Sequence, residues 1–191
     1  HALGHPIVID PVGVSGSSYR REKCLELMKI IHPTCIRGNY SEIQALLHNC
    51  GTVTGVDAAE DALAEAEETD LPELMKQYAK ENQMILVASG ETDLITDGSC
   101  VYRCHNGSPM MARITGSGCM STVMLGAFLS AENSVESAVA CCAFTGIAGE
   151  LAAKEMTAQK RGTMTFRNWF IDAVSLMTPE QLEHGTDVDW F

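Results

Sequence analysis

Three short apolar runs decide the fold class. "PIVID" (6–10), "TCIR" (34–37) and "MILVAS" (84–89) are each too short for a helix, and each ends on a polar residue. Parallel strands covered on both faces read as unbroken apolar runs of this kind. The segments between them have helical period. "YRREKCLELMKIIH" sets Cys24, Leu27, Met28 and Ile31 on one face, with Glu22, Glu26 and Lys29 turned away. "SEIQALLHNC" follows a Gly38-Asn39 turn, with Ser41 as its expected N-cap, and "LPELMKQYAKENQ" leads into the third run. Strand and helix alternate, which predicts an α/β layer fold around a mainly parallel sheet.

The second half reads differently. "DLITDGSCVYRCHNGSPMM" carries Asp97-Gly98 and Asn106-Gly107 as hairpin signals, hence a short antiparallel flank. A helix is expected from Gly118 or Cys119. Another over "SVESAVACCAFTGIAGELAAKEM" sets Val135, Ala138, Val139, Cys142, Gly146, Gly149 and Ala153 on one close-packing stripe. A last helix is expected from Phe166 to Met177. The acid-rich stretch 52–70 reads as a solvated helix or flap.

Composition narrows the function. With 191 residues, 46% of them hydrophobic, the chain has the size and make-up of one globular domain. A net charge of −12, and no Lys or Arg between Arg37 and Lys76, exclude a non-specific nucleic-acid surface, so any phosphate must be held locally. Eight cysteines without a secretory signal read as cytoplasmic thiols rather than a disulfide framework. Cys100, Cys104 and His105 come nearest to a zinc set but lack a second close pair, and the adjacent Cys141 and Cys142 read as small packing residues. No run is expected to reach the ~18 apolar residues of a membrane span.

The polar residues that end the strands are where chemistry is expected, because open α/β sheets bind ligands beyond their carboxyl ends. They are Asp10, Arg37 with Asn39 and Glu42, Ser89, and the turn Gly116-Ser117-Gly118-Cys119 within "ITGSGCMSTV". Each has a plain reading as well. Glycines before a helix make tight turns or cradle an anion. Taken alone, Asn39 and Glu42 read as a helix cap and an exposed first-turn acid, Asp10 as the start of an Asp-Pro turn, and Cys119 as a small residue at a tight helix start.

Taken together, "DPVG", "RGNYSEI", "SGETDLITDG" and "ITGSGC" resemble, in order and spacing, the hydroxyethylthiazole kinases of the ribokinase-like superfamily. The resemblance implies one three-layer α/β/α kinase domain over residues 1–191, without the α/β segment that family members carry upstream of the strand matching "PIVID". It implies transfer of the γ-phosphate of ATP, with Mg2+, to the primary hydroxyl of 4-methyl-5-(2-hydroxyethyl)thiazole in thiamine salvage. A homotrimer with active sites at subunit interfaces is implied too, with no nucleic-acid or membrane partner. By position, Asp10, Glu42 and Asn39 would organise magnesium, Arg37 and Ser89 would meet ATP, and Gly116 would touch the alcohol. Gly116, Ser117, Gly118 and Cys119 would form the anion hole.

Cys119 falls at the catalytic position, where related kinases place Asp. Phosphoryl transfer through a loose transition state rests on positioning and charge, so a weak proton acceptor suffices, at some cost in rate. Two competing expectations are a kinase for another small alcohol, such as hydroxymethylpyrimidine, and a nucleotide-binding module without turnover.

Overall fold

The computed structural model describes residues 3–50 and 71–191; the acid-rich stretch 52–70 lies outside them. The sheet runs β1 (Val8–Ile9), β2 (Cys35–Asn39), β3 (Ile85–Ser89), β4 (Asp93–Thr96), β5 (Val101–Cys104) and β6 (Val188–Trp190), neighbours in that order. The first three strands are parallel and the last three add antiparallel, so the flank is as wide as the parallel half. The helices are α1 (Ser18–Ile31), α2 (Tyr40–Cys50), α3 (Leu71–Asn82), α4 (Ser117–Ala131), α5 (Val135–Ala158), α6 (Thr163–Leu176) and α7 (Pro179–Gly185).

Strand alternation explains the unbroken apolar runs. Ile36, Leu86 and Ala88 pack with Met28, Ile43, Leu46 and Met75 from α1, α2 and α3. Their neighbours Cys35, Ile85 and Val87 pack on the opposite face with Leu125, Leu129 and Ala138 from α4 and α5. Three layers result. Because side chains alternate with period two, Arg37 and Ser89 share the face of Cys35, Ile85 and Val87, and so face α4 and α5. A third cluster closes α6 on α5 through Phe166 and Phe170, each burial worth about 1.5–3 kcal/mol.

Several local expectations change. On α1, Leu25 joins the core while Leu27 is exposed, because the buried stripe runs through Cys24, Leu25 and Met28. Asn39, not Ser41, caps α2: its Oδ1 accepts from Glu42 N at 2.9 Å, and Glu42 Oε2 accepts from Asn39 N at 2.9 Å, a reciprocal capping box. Only Asp97-Gly98 turns a hairpin, with Gly98 at φ +96°. Asn106-Gly107 leads instead into a 3-10 turn at Pro109–Arg113. The last expected helix is α6, starting three residues earlier, and α7 and β6 follow it. Helix α5 is, by length and composition, apolar enough to cross a membrane, contrary to the sequence expectation. Its most apolar stretch is 61% buried within the fold, on a front wider than one stripe, as befits a central core helix.

Candidate active site

The strand ends and the start of α4 converge on one place. Gly116 caps α4 at φ +92°, a left-handed conformation that a Cβ would strain, and a Cβ there would meet nothing within 4 Å. No side chain caps the turn, so the first N–H groups of α4 have no intrahelical acceptor, and Cys119 beside them is exposed.

Arg37 crosses from β2 to α4. Its Nη1 donates to Gly118 O at 3.2 Å and to Thr122 Oγ1 at 3.4 Å. The residue is 9% exposed, and among the described residues no carboxylate forms an ion pair with it. A buried guanidinium held by neutral acceptors keeps N–H donors for an anion. Thr122 then links it to the acid side: its hydroxyl lies 2.9 Å from Asp10 Oδ2 and 3.1 Å from Gly118 O, and one proton serves both.

Glu42 is buried and committed. Oε1 accepts from Gly13 N at 2.8 Å, tying the loop after β1 to the start of α2, while Oε2 takes the Asn39 amide. The Asn39 oxygen is engaged by Glu42 N and by Ser41 Oγ at 2.8 Å, so Asn39 acts on the site through Glu42. Asp10, just past β1, and Glu42, in the first turn of α2, are hard oxygen donors, the donor type that suits magnesium.

Beside this group opens a cavity of ≈ 750 Å³, lined by Arg37, Ser89, Ser117 and Gly118 and, on α5, by Cys141 and Thr145. Ser89 donates to Gly38 O at 3.2 Å, fixing the ends of β2 and β3. Asp93 also lines the cavity; burial pushes its carboxyl up, against the pull of the Gly90 N–H and Arg37. The two neighbouring α5 thiols are more than packing residues, since both line the cavity. Burial pushes Cys141 up to about 11 and Cys142 well above its ordinary value, so both stay protonated at neutral pH.

The expected residues therefore fall in two joined groups. Arg37, Ser89, Ser117 and Gly118 face the cavity, while Asp10, Glu42, Asn39, Gly116 and Cys119 lie outside its lining. Sequence reading missed Thr122, although its place four residues after Gly118 puts it on the same face of α4. It also missed Thr145, took Asn106 only as a turn residue, and gave Asp93 no role of its own within "SGETDLITDG".

Parallel strand ends, a glycine turn opening a helix and a cation behind it place the chain in the ribokinase-like class of α/β folds. Residues 1–180 match the model of the hydroxyethylthiazole kinase family. The chain is 38% identical over 177 residues to hydroxyethylthiazole kinase 1 of Methanosphaera stadtmanae, covering 89% of this chain and 62% of that protein. It is 35% identical to the hydroxyethylthiazole kinase of Clostridium acetobutylicum, covering 95% and 67%. The solved structure of a hydroxyethylthiazole kinase protein from Pyrococcus horikoshii superposes with a TM-score of 0.80 at 27% identity, over 100% of this chain and 67% of that one. The chain belongs to the hydroxyethylthiazole kinase family and spans about two thirds of the length of these relatives.

Proposed function

We propose that the protein is a magnesium-dependent kinase that moves the γ-phosphate of ATP onto the primary hydroxyl of hydroxyethylthiazole. The observation that carries this reading is Arg37: a buried cation, free of a direct carboxylate partner, bonded to the anion turn at Gly118 and linked through Thr122 to Asp10. Membership of the hydroxyethylthiazole kinase family supports this choice of substrate.

In this reading ATP occupies the cavity, with Arg37 and Ser89 meeting its phosphates. The Gly116–Cys119 turn receives the charge that develops on the transferred group, using helix N–H donors already in place. Asp10 and Glu42 hold magnesium, with Asn39 fixing Glu42; when bound, the ion would neutralise phosphate charge and align it. Gly116 contacts the acceptor alcohol. Its proton passes to the thiolate form of Cys119 Sγ as the new P–O bond forms and ADP leaves. Cysteine is mostly thiol at neutral pH, so fewer molecules carry the base than with a carboxylate in this place, and slow turnover is expected. We propose a single kinase domain over residues 1–191, acting as a cytoplasmic homotrimer with sites at its interfaces.

Phosphorus NMR of the products tests the assignment. Incubation with ATP, magnesium and hydroxyethylthiazole should give a phosphate monoester on the hydroxyethyl oxygen. Hydroxymethylpyrimidine as the better acceptor would overturn the substrate, and nucleotide binding without any ester would overturn the activity.

A further inference from the structure

The far wall of the cavity is a loop whose shape is imposed from outside it. His105, Asn106, Gly107 and Ser108 line the cavity and belong to no regular element. The buried Asn106 amide is fully used: Nδ2 donates to Glu150 Oε1 at 3.1 Å and to Gly185 O at 2.8 Å, and Oδ1 accepts from Asp187 N at 2.8 Å. Gly107 N donates to the same Glu150 oxygen at 2.9 Å. The His105 ring contacts Asp189 Oδ2 at 3.2 Å and Thr92 Oγ1 at 3.3 Å, and Arg103 Nε donates to Asp189 Oδ1 at 2.5 Å. Pairing of β6 with β5 continues the same attachment. Gly185, Asp187 and Asp189 lie beyond residue 180, where the family match ends.

We infer that the C-terminal segment from Gly185 to Trp190, together with Glu150, is a strap that positions the nucleotide site. It fixes the His105–Ser108 wall in the one shape that accepts an adenine nucleotide. The inference rests on the cavity being the ATP site. Glu150 is exposed on α5, yet one of its oxygens serves two loop donors; without them the loop would sample several shapes. Binding to a wall that is competent for only a fraction of the time is weakened by that fraction. Glu150 and Asp189 are thus positioning residues, acting on ATP through Asn106, Gly107 and His105.

The test compares the full chain with Glu150→Ala, Glu150→Gln and Asp189→Asn, by calorimetric binding of Mg–ATP and by steady-state kinetics. Glu150→Ala and Asp189→Asn should raise the ATP Kd and KM roughly three- to tenfold. Turnover number and alcohol KM should change by less than about twofold, since the anion turn is untouched. Glu150→Gln keeps an accepting oxygen and should restore wild-type affinity; amide exchange at 105–108 should rise in Glu150→Ala alone of the two Glu150 variants. Unchanged ATP affinity in Glu150→Ala and Asp189→Asn would overturn the strap while leaving the ATP reading intact. An equal fall in kcat and in both affinities would reduce it to general stability and likewise overturn it. If the unaltered chain binds no adenine nucleotide, the ATP reading fails and the strap falls with it.

Discussion

Replacing Thr122 with Val isolates the link between the acid side and the cation. Valine has the same branched shape and a single favoured helical rotamer, so packing on α4 is kept and only the hydroxyl is lost. That hydroxyl meets Asp10 at 2.9 Å and accepts from Arg37 at 3.4 Å. A hydrogen bond to a charged group is worth about 1.5–3 kcal/mol when well buried. Thr122 is only half-buried and water can replace it at Asp10, so about 1 kcal/mol of stability is at stake, or a Tm fall of roughly 2–4 °C in a chain this long. The effect on turnover is larger in kind: with Asp10 unlinked and Arg37 held only by Gly118 O, kcat/KM for Mg–ATP should fall about tenfold, equivalent to ~1.4 kcal/mol. Steady-state kinetics over a magnesium titration, beside thermal melts, measures both. Thr122→Ser keeps the hydroxyl and should stay within about twofold of wild type. Wild-type kcat/KM and magnesium half-saturation in Thr122→Val would refute the idea that this link organises the site.

Other outcomes follow from single residues. Cys119→Asp should retain or raise turnover, whereas Cys119→Ala should lower kcat by roughly 10²-fold without changing ATP affinity; a Cys119→Asp variant that binds both substrates and is inert would remove Cys119 from the proton path. Gly146→Ala would set a Cβ 2.5 Å from the Asn106 backbone, so urea denaturation should show a loss of about 1–3 kcal/mol, with ATP affinity falling as the cavity wall shifts. Alkaline pH should destabilise the fold through its buried thiols. Burial raises Cys141 to about 11 and Cys104 to about 12, from the ordinary 9.0. Below pH 9 both states hold these protons and stability is complete. Above it the unfolded chain releases protons that the folded chain keeps, so stability falls until pH passes the folded values, by about 1.4 kcal/mol per pH unit for each thiol. Urea midpoints from pH 8 to 10.5 should show this decline, and Cys141→Ala should make it shallower.

The parallel half of the sheet was legible because its strands are covered on both faces, so Ile36, Leu86 and Val87 form runs that no exposed strand would carry. The glycine turn before α4 was legible because Gly116 takes a left-handed conformation and a helix follows it. Features set by distant contacts were not. Leu27 has the right period for the α1 core, but only the fold decides that Leu25 takes that place. Ser41 is a good capping residue, yet the Glu42 carboxylate selects Asn39 by completing the reciprocal box. The short β6 carries no alternating pattern of its own, and its place depends on pairing with β5 and on the Arg103–Asp189 contact. Within the site, the sequence marked Arg37 only as a polar strand end, and the structure bonds it to Gly118 O in the turn before α4. Thr122 and Asn106 were hidden because their partners lie 112 residues away at Asp10 and 79 away at Gly185.

ADP release by this chain in Mg–ATP, with and without hydroxyethylthiazole, tests the central claim most directly. The account predicts release that depends on the alcohol and is lost in Arg37→Ala. Release that is absent, or indifferent to the alcohol, while ATP still binds, would contradict it and leave a nucleotide-binding fold without this kinase activity.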